Sequence, residues 1–234
     1  MQSQFKINLI LLSLALFGAN GLEAAEWNQY HGANSDNKAQ ETLASAAWLN
    51  KASSQAWKTA TPLGFSSFSV SGGRAFTLVG RTDEDGLKQE FCLALDVKTG
   101  QEVWAAKLDR LDFGRGGGDS GASDNKGGDG PRSTPSAADG KVWVYDADMN
   151  LYCFDASNGK EIWKVSVEKE YSGTPIKWDN ASAPLLEGNK VIVYGGGAGQ
   201  TFLAFERSTG KTIWKSGDET ITHATPIAAT IHGL

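Results

Sequence analysis

The chain has 234 residues, with 40% hydrophobic and 21% charged residues, a composition that fits a folded globular protein and excludes a disordered one. A formal net charge of −5 at pH 7 argues against nucleic acid or an anionic membrane surface as a partner. Beyond residue 25 no apolar run is long enough to cross a bilayer as a helix.

Residues 1–25 read as a secretory signal peptide. Lys6 makes the amino-terminal region positive, and Ile7 to Phe17 is a short apolar run broken only by Asn8 and Ser13. Ala19, Gly21, Ala24 and Ala25 are small residues suited to a cleavage site. About eleven residues are too few to span a bilayer, so the pattern predicts export and cleavage, with no membrane insertion of the mature chain. The expected location is periplasmic or secreted.

Residues 26–55 form a leader. It opens Trp27-Asn28-Gln29-Tyr30-His31-Gly32 and turns polar through Asn34, Ser35, Asp36 and Asn37. A single histidine without neighbours of its kind makes His31 a packing residue rather than a ligand. Ala56-Trp57-Lys58 then reads as the outermost strand of a blade whose other strands do not precede it.

Three sets of four strands follow. The first is Phe68–Val70, Ala75–Leu78, Glu90–Leu95 and Glu102–Ala105. The second is Thr134–Ala138, Lys141–Ala147, Leu151–Phe154 and Lys160–Val165, and the third is Ala183–Leu186, Lys190–Tyr194, Thr201–Phe205 and Lys211–Lys215. Glycine marks each turn between first and second strands, at Gly72-Gly73, Asp139-Gly140 and Gly188-Asn189. Val142, Val144 and Asp146 alternate with Trp143, Tyr145 and Ala147, the period of a strand. Pro135, Pro184 and Pro226 stand at the first strands, where a missing N–H is tolerated at a sheet edge. Pro226 opens a further first strand, Thr225 to Ala229.

One stretch recurs three times. Leu93–Trp104, Tyr152–Trp163 and Leu203–Trp214 each carry an acid (Asp96, Asp155, Glu206), a glycine four places on (Gly100, Gly159, Gly210) and a tryptophan four places beyond that (Trp104, Trp163, Trp214). The interval is roughly 50–60 residues, near the period of propeller blades. Each copy is a hairpin ending in an indole, and an isolated hairpin cannot bury that indole by itself.

These copies resemble the tryptophan-docking motif of the quinoprotein (PQQ-like) β-propeller repeat family. Ala94, Asp96, Thr99, Gly100 and Trp104 match it fully. Ala204, Thr209, Gly210 and Trp214 match with Glu206 in place of Asp, and Asp155, Gly159 and Trp163 match with Cys153 and Asn158 substituted. The resemblance implies an all-β propeller of four-stranded antiparallel blades over residues 56–234, with three complete blades plus partial ones. Each motif tryptophan is expected between adjacent blades. The leader is expected to lie across the propeller, anchored by Trp27 and Tyr30. About 50 residues per blade and the strands at either end lead to the expectation of a segment of a longer propeller.

Chemistry is sparse. Phe113–Gly130 is glycine-rich; Gly116-x-Gly118-x-x-Gly121 has the letters of a dinucleotide fingerprint without a strand-to-helix unit around them, so it reads as a surface insertion. Asp119, Asp124 and Asp129 offer oxygen ligands, but their even spacing fits no calcium loop. Arg132-Ser133-Thr134-Pro135 leads into an inner strand toward the channel mouth; Asp146 and Asp148 are expected to make inter-blade ion pairs and turn contacts, with a polar cluster around Arg132 at the mouth as the alternative. His223 and His232 flank the last inner strand as surface or packing residues. Cys92 and Cys153 are out of register and read as two buried thiols, with a disulfide left open as an alternative in an oxidising compartment.

In quinoprotein dehydrogenases the resemblance implies PQQ in the channel, stacked between a tryptophan and a vicinal disulfide above a calcium ion. This sequence has no Cys-Cys pair. The expectation is therefore an exported non-catalytic scaffold that presents its channel face to a protein or polymer partner, with no catalytic, cofactor-binding or metal residue assigned. The alternatives are part of a PQQ-dependent dehydrogenase of alcohols or sugars, with PQQ and calcium, and a polysaccharide-binding module.

Overall fold

The computed structural model describes residues 26–39, 55–110 and 130–231. Residues 1–25, the expected signal peptide, most of Phe113–Gly130 with its three aspartates, and His232 lie outside the described residues.

The strands form three separate four-stranded antiparallel sheets, each meandering in chain order. Blade one holds β1 (Ser69–Ser71), β2 (Arg74–Thr82), β3 (Lys88–Asp96) and β4 (Glu102–Arg110). Blade two holds β5 (Ser136–Ala138), β6 (Lys141–Tyr145), β7 (Asn150–Asp155) and β8 (Glu161–Ser166). Blade three holds β9 (Leu185–Glu187), β10 (Lys190–Tyr194), β11 (Phe202–Glu206) and β12 (Thr212–Ser216). Strand identities match the sequence reading; the boundaries move by a few residues. β2 and β4 run several residues further than expected because Arg81 pairs with Gln89 and, beyond a register shift between Gln89 and Phe91, Gln89 pairs with Arg110.

Alternation along the central strands does more than separate inside from outside. In blade two, Val142, Val144, Tyr152 and Phe154 pack with Phe76, Leu78 and Trp104 of blade one. Trp143, Tyr145, Leu151 and Cys153 face the other way, against Val191, Val193, Leu203 and Phe205 of blade three. A strand sandwiched between two blades must be apolar on both faces, and β6 is buried from Val142 to Tyr145. The period of two sorts its residues between two cores. Cys92 and Cys153 fall in different cores and are both free thiols.

The motif performs as the resemblance implied at two junctions, and Trp57 supplies a third. The Trp104 indole donates to Ala156 O at 2.9 Å and lies over Gly159, where a Cβ would come within 2.7 Å of Cε3. Trp163 donates to Arg207 O at 3.2 Å and lies over Gly210. Trp57 donates to Val97 O at 2.9 Å and covers Gly100. Each glycine has φ near +70°, so the absent side chain serves both the turn and the ring. The motif acid closes the turn: Asp96 Oδ1 accepts from the Lys98 and Thr99 amides, both at 3.0 Å.

Three expectations need correction. Residues 55–58 hold Trp57 in its docking place but are not a strand. Residues 225–229 likewise form no strand, because no second strand pairs with them among the described residues. Trp214 is not wedged between sheets: it is 37% exposed on the outer face of blade three. One element was not foreseen, a single helical turn α1 (Val167–Tyr171) that ends at Ser172 in a left-handed conformation.

Candidate functional site: the channel mouth

The inner strands β1, β5 and β9 line the channel, and consecutive leader residues cross all three. Trp27 exchanges backbone hydrogen bonds with Val70 of β1, at 2.9 and 2.8 Å. Asn28 accepts from the Ala137 amide of β5 at 2.7 Å and returns a side-chain bond to Ala137 O at 3.0 Å. Gln29 Oε1 accepts from the Leu186 amide of β9 at 2.9 Å. The leader therefore lies across the propeller, with Trp27 as an anchor. Tyr30, the other expected anchor, is 39% exposed and points out of the packed region.

The segments that enter each blade meet around the mouth. Thr134 Oγ1 accepts from the Ser67 amide at 3.1 Å, and Thr225 Oγ1 accepts from the Ala183 amide at 3.0 Å. Both threonines precede a proline, so the same Thr-Pro step ties one entry segment to the next. That recurrence, Thr134-Pro135 and Thr225-Pro226, was a readable signal; only its prolines were used. Ser133 Oγ donates to Ser182 O at 2.9 Å in the intervening junction.

These segments enclose a cavity of about 390 Å³ lined by Tyr30, His31, Phe65, Arg132, Thr134, Ala181, His223, Ala224 and Thr225. The Arg132 guanidinium lies 5.6 Å from the Phe65 ring centre. His31 pairs with Asn37 Oδ1 at 2.8 Å, and its ring centre lies 4.1 Å from that of Tyr30. His223 stacks on Trp178 at 6.3 Å and meets Lys177 O at 3.1 Å. Trp178 is 53% exposed and has φ +74°, and the next residue, Asp179, is buried at φ +59°. A bulky residue in the left-handed region is a rare and strained placement. Sequence reasoning missed Trp178, since nothing in Lys177-Trp178-Asp179 announces a left-handed backbone.

Neither Asp146 nor Asp148 is among the residues lining the mouth. Asp146 is buried between blades one and two, where its carboxylate accepts from Asn150 N at 2.7 Å, Asn150 Nδ2 at 2.9 Å and Tyr152 OH at 3.2 Å. Across the junction Glu90 of β3 is also buried; its Oε2 accepts from the Ala147 amide at 3.3 Å, while Oε1 is buried without a hydrogen-bond partner. Burial first, then the neighbouring Asp146, pushes the Glu90 carboxyl well above the ordinary carboxylate range. Burial also pushes Asp146 up to about 7, against the opposing pull of the Asn150 bonds. The clue to Glu90 was a charge at the head of the apolar strand Glu-Phe-Cys-Leu-Ala-Leu.

The described residues do not fit the cofactor cradle implied by the resemblance. A vicinal disulfide cannot come from Cys92 and Cys153, which lie in separate cores. Among the described residues no group of three or more His, Cys, Asp or Glu is arranged to hold a metal ion.

Comparison with known proteins gives three findings. No curated protein sequence matches. Solved structures with a similar fold include the quinohemoprotein alcohol dehydrogenase of Comamonas testosteroni, 20% identical with a TM-score of 0.55 over 82% of this chain and 27% of that one. A europium-containing methanol dehydrogenase is 18% identical with a TM-score of 0.53 over 82% of this chain and 32% of that one, so this chain spans about a third or less of either enzyme. Residues 89–233 match the family model described as outer membrane protein assembly factor BamB. With more than half of its length matched, three sheets of propeller topology and tryptophan docking at successive junctions, the chain belongs to that family of PQQ-like propellers.

Proposed function

We propose that this chain is an exported, non-catalytic binding scaffold whose working surface is the channel mouth. One observation carries the reading. Tyr30 and Phe65, 39% and 48% exposed, line the mouth with Arg132, and Trp178, 53% exposed, stacks on its lining residue His223. Tyr, Trp and Arg are the residue types that dominate binding energy at interfaces. The Phe65 segment is tied to blade two through the Ser67–Thr134 bond and the leader carrying Tyr30 is tied to three blades, so little ordering is needed there on binding. Family membership and the apolar run of residues 7–17 support work outside the cytoplasm. No helix among the described residues is long and apolar enough to cross a membrane.

The test is site-specific photo-crosslinking from position 30 or 178 in cells, with position 72, in the β1–β2 turn and outside the mouth lining, as control. Adducts from the mouth positions alone support the scaffold. Dye-linked oxidation of alcohols or sugars after adding PQQ and calcium to the purified protein would overturn it in favour of a dehydrogenase.

A further inference from the structure

Going beyond the scaffold reading, we infer that the channel wall carries a second binding surface, a row of backbone groups that the leader covers in cis. Its ligand is an extended segment of a partner protein, an aromatic residue followed by two carboxamides. The row holds one residue per blade. Val70, Ala137 and Leu186 are the middle residues of the inner strands β1, β5 and β9. Each gives its amide N–H to one of three consecutive leader residues: Val70 to Trp27 O at 2.8 Å, Ala137 to Asn28 O at 2.7 Å and Leu186 to Gln29 Oε1 at 2.9 Å. Two of them also accept, Val70 O from the Trp27 amide and Ala137 O from Asn28 Nδ2. Backbone bonds hold an extended chain, and side chains select it. At the second position a primary amide completes the clamp on Ala137, which a carboxylate could not do because it has no hydrogen to donate. At the third position a carboxamide oxygen reaches Leu186.

The leader is an exchangeable occupant. Among the described residues, the three hydrophobic clusters of the core contain none of residues 26–38. The Trp27 ring lies on the leader's own Gly32, where a Cβ would come within 3.0 Å of Cζ3. Bonds within the leader shape its turn: Gly32 N to Gln29 O at 2.9 Å, Asn37 N to His31 O at 2.9 Å, and His31 Nδ1 with Asn37 Oδ1 at 2.8 Å. Its grip on the blades is polar, so it lifts off without opening a core. Once it has left, three strand edges show bare backbone groups, which are a template for another chain. Seated, the leader completes the mouth with Tyr30 and His31; released, it takes both away and bares the wall. The two surfaces therefore exclude one another, and the leader decides which is open. A second copy's leader makes the same contacts without the tether and loses to the leader in cis. A partner segment can add contacts beside the wall, where Phe65 is 48% exposed.

The experiment is fluorescence anisotropy of a labelled synthetic peptide of residues 26–38 against the full chain and its Trp27→Ala/Asn28→Ala/Gln29→Ala variant, with hydrogen exchange read at Val70, Ala137 and Leu186. The expected result is binding to the variant at least about tenfold tighter than to the wild-type chain, because a site covered in cis loses apparent affinity in proportion to its open fraction. Exchange at the three amides should be fast in the variant and slow again with the peptide bound. A peptide with Asn28→Asp should bind about tenfold more weakly, since it cannot donate to Ala137 O. Gln29→Ala alone replaces a triple variant that fails to fold. No binding to a folded variant, equal binding to both chains, or binding that leaves the three amides unprotected overturns the inference. A wild-type chain that runs as a dimer and turns monomeric in the variant also overturns it, giving the row to the leader of a second copy. If the peptide does not bind while mouth crosslinks persist in cells, the inference falls and the scaffold reading stands.

Discussion

The amide of Ala147 in blade two donates to Glu90 of blade one at 3.3 Å, a buried bond across the junction of the two blades. The acceptor's second oxygen is buried without a hydrogen-bond partner, and Asp146, Asp148 and Asp179 act on it only to raise its proton affinity. A proton is the simplest way to neutralise Glu90 there. A carboxyl whose pKa is raised by folding stabilises the fold while protonated. Its contribution is whole below the ordinary carboxylate pKa and is lost as pH rises through the folded value, about 7 for Asp146. Melting temperature should therefore fall as pH rises from about 4 to about 7. Glu90→Gln, which keeps a neutral group of the same shape, should flatten that slope and add about 1–3 kcal/mol at pH 9. A wild-type profile that rises across this range would contradict the assignment.

Gly140 and Gly159 share a left-handed backbone, with φ +70° and +74°, but differ in surroundings. A Cβ at Gly140 meets nothing within 4 Å, whereas one at Gly159 meets the Trp104 ring at 2.7 Å. Gly140→Ala should cost about 1–2 kcal/mol from backbone strain alone. Gly159→Ala should cost about 1–3 kcal/mol more, because the indole must move. Chemical denaturation of the two variants separates turn strain from docking.

The leader's grip can be read one blade at a time. Gln29→Ala removes the acceptor for the Leu186 amide and should cost about 1–3 kcal/mol, with faster hydrogen exchange at Leu186 and little change at Ala137. Asn28→Ala removes only the side-chain bond to Ala137 O and should cost about 1 kcal/mol.

Cys153 should resist thiol reagents in the native state. Burial pushes it up to about 12, and Cys92 is raised by burial as well. Neither should label at pH 8 until denaturant is added; rapid labelling of either would show that its core opens.

Much of the fold was legible because the repeat writes it three times. Acid, glycine and tryptophan at fixed spacing located β3–β4, β7–β8 and β11–β12, and prolines located the inner strands. What the sequence hid were partnerships across blades. Nothing local ties Glu90 to Ala147, or Gln29 to Leu186, since these pairs lie far apart in the chain. Asp146 was picked out as polar, for inter-blade contacts or the mouth; the Asn150 and Tyr152 donors that hold it inside the junction are visible only when β6 and β7 pair. The mouth's residues were partly named, with Tyr30, His31, Arg132 and His223 all noted, but Phe65, and Trp178 beside His223, gave no pattern to read.

The three-blade reach of Trp27, Asn28 and Gln29 also dictates an order of events. These residues come early in synthesis, yet Gln29 has no place to settle until Leu186 has arrived more than 150 residues later. The start of the chain must wait, and its docking acts as a latch thrown after the sheets have stacked. Such distant closure slows folding. It leaves a late intermediate whose inner edges are bare, the species a chaperone would have to shield.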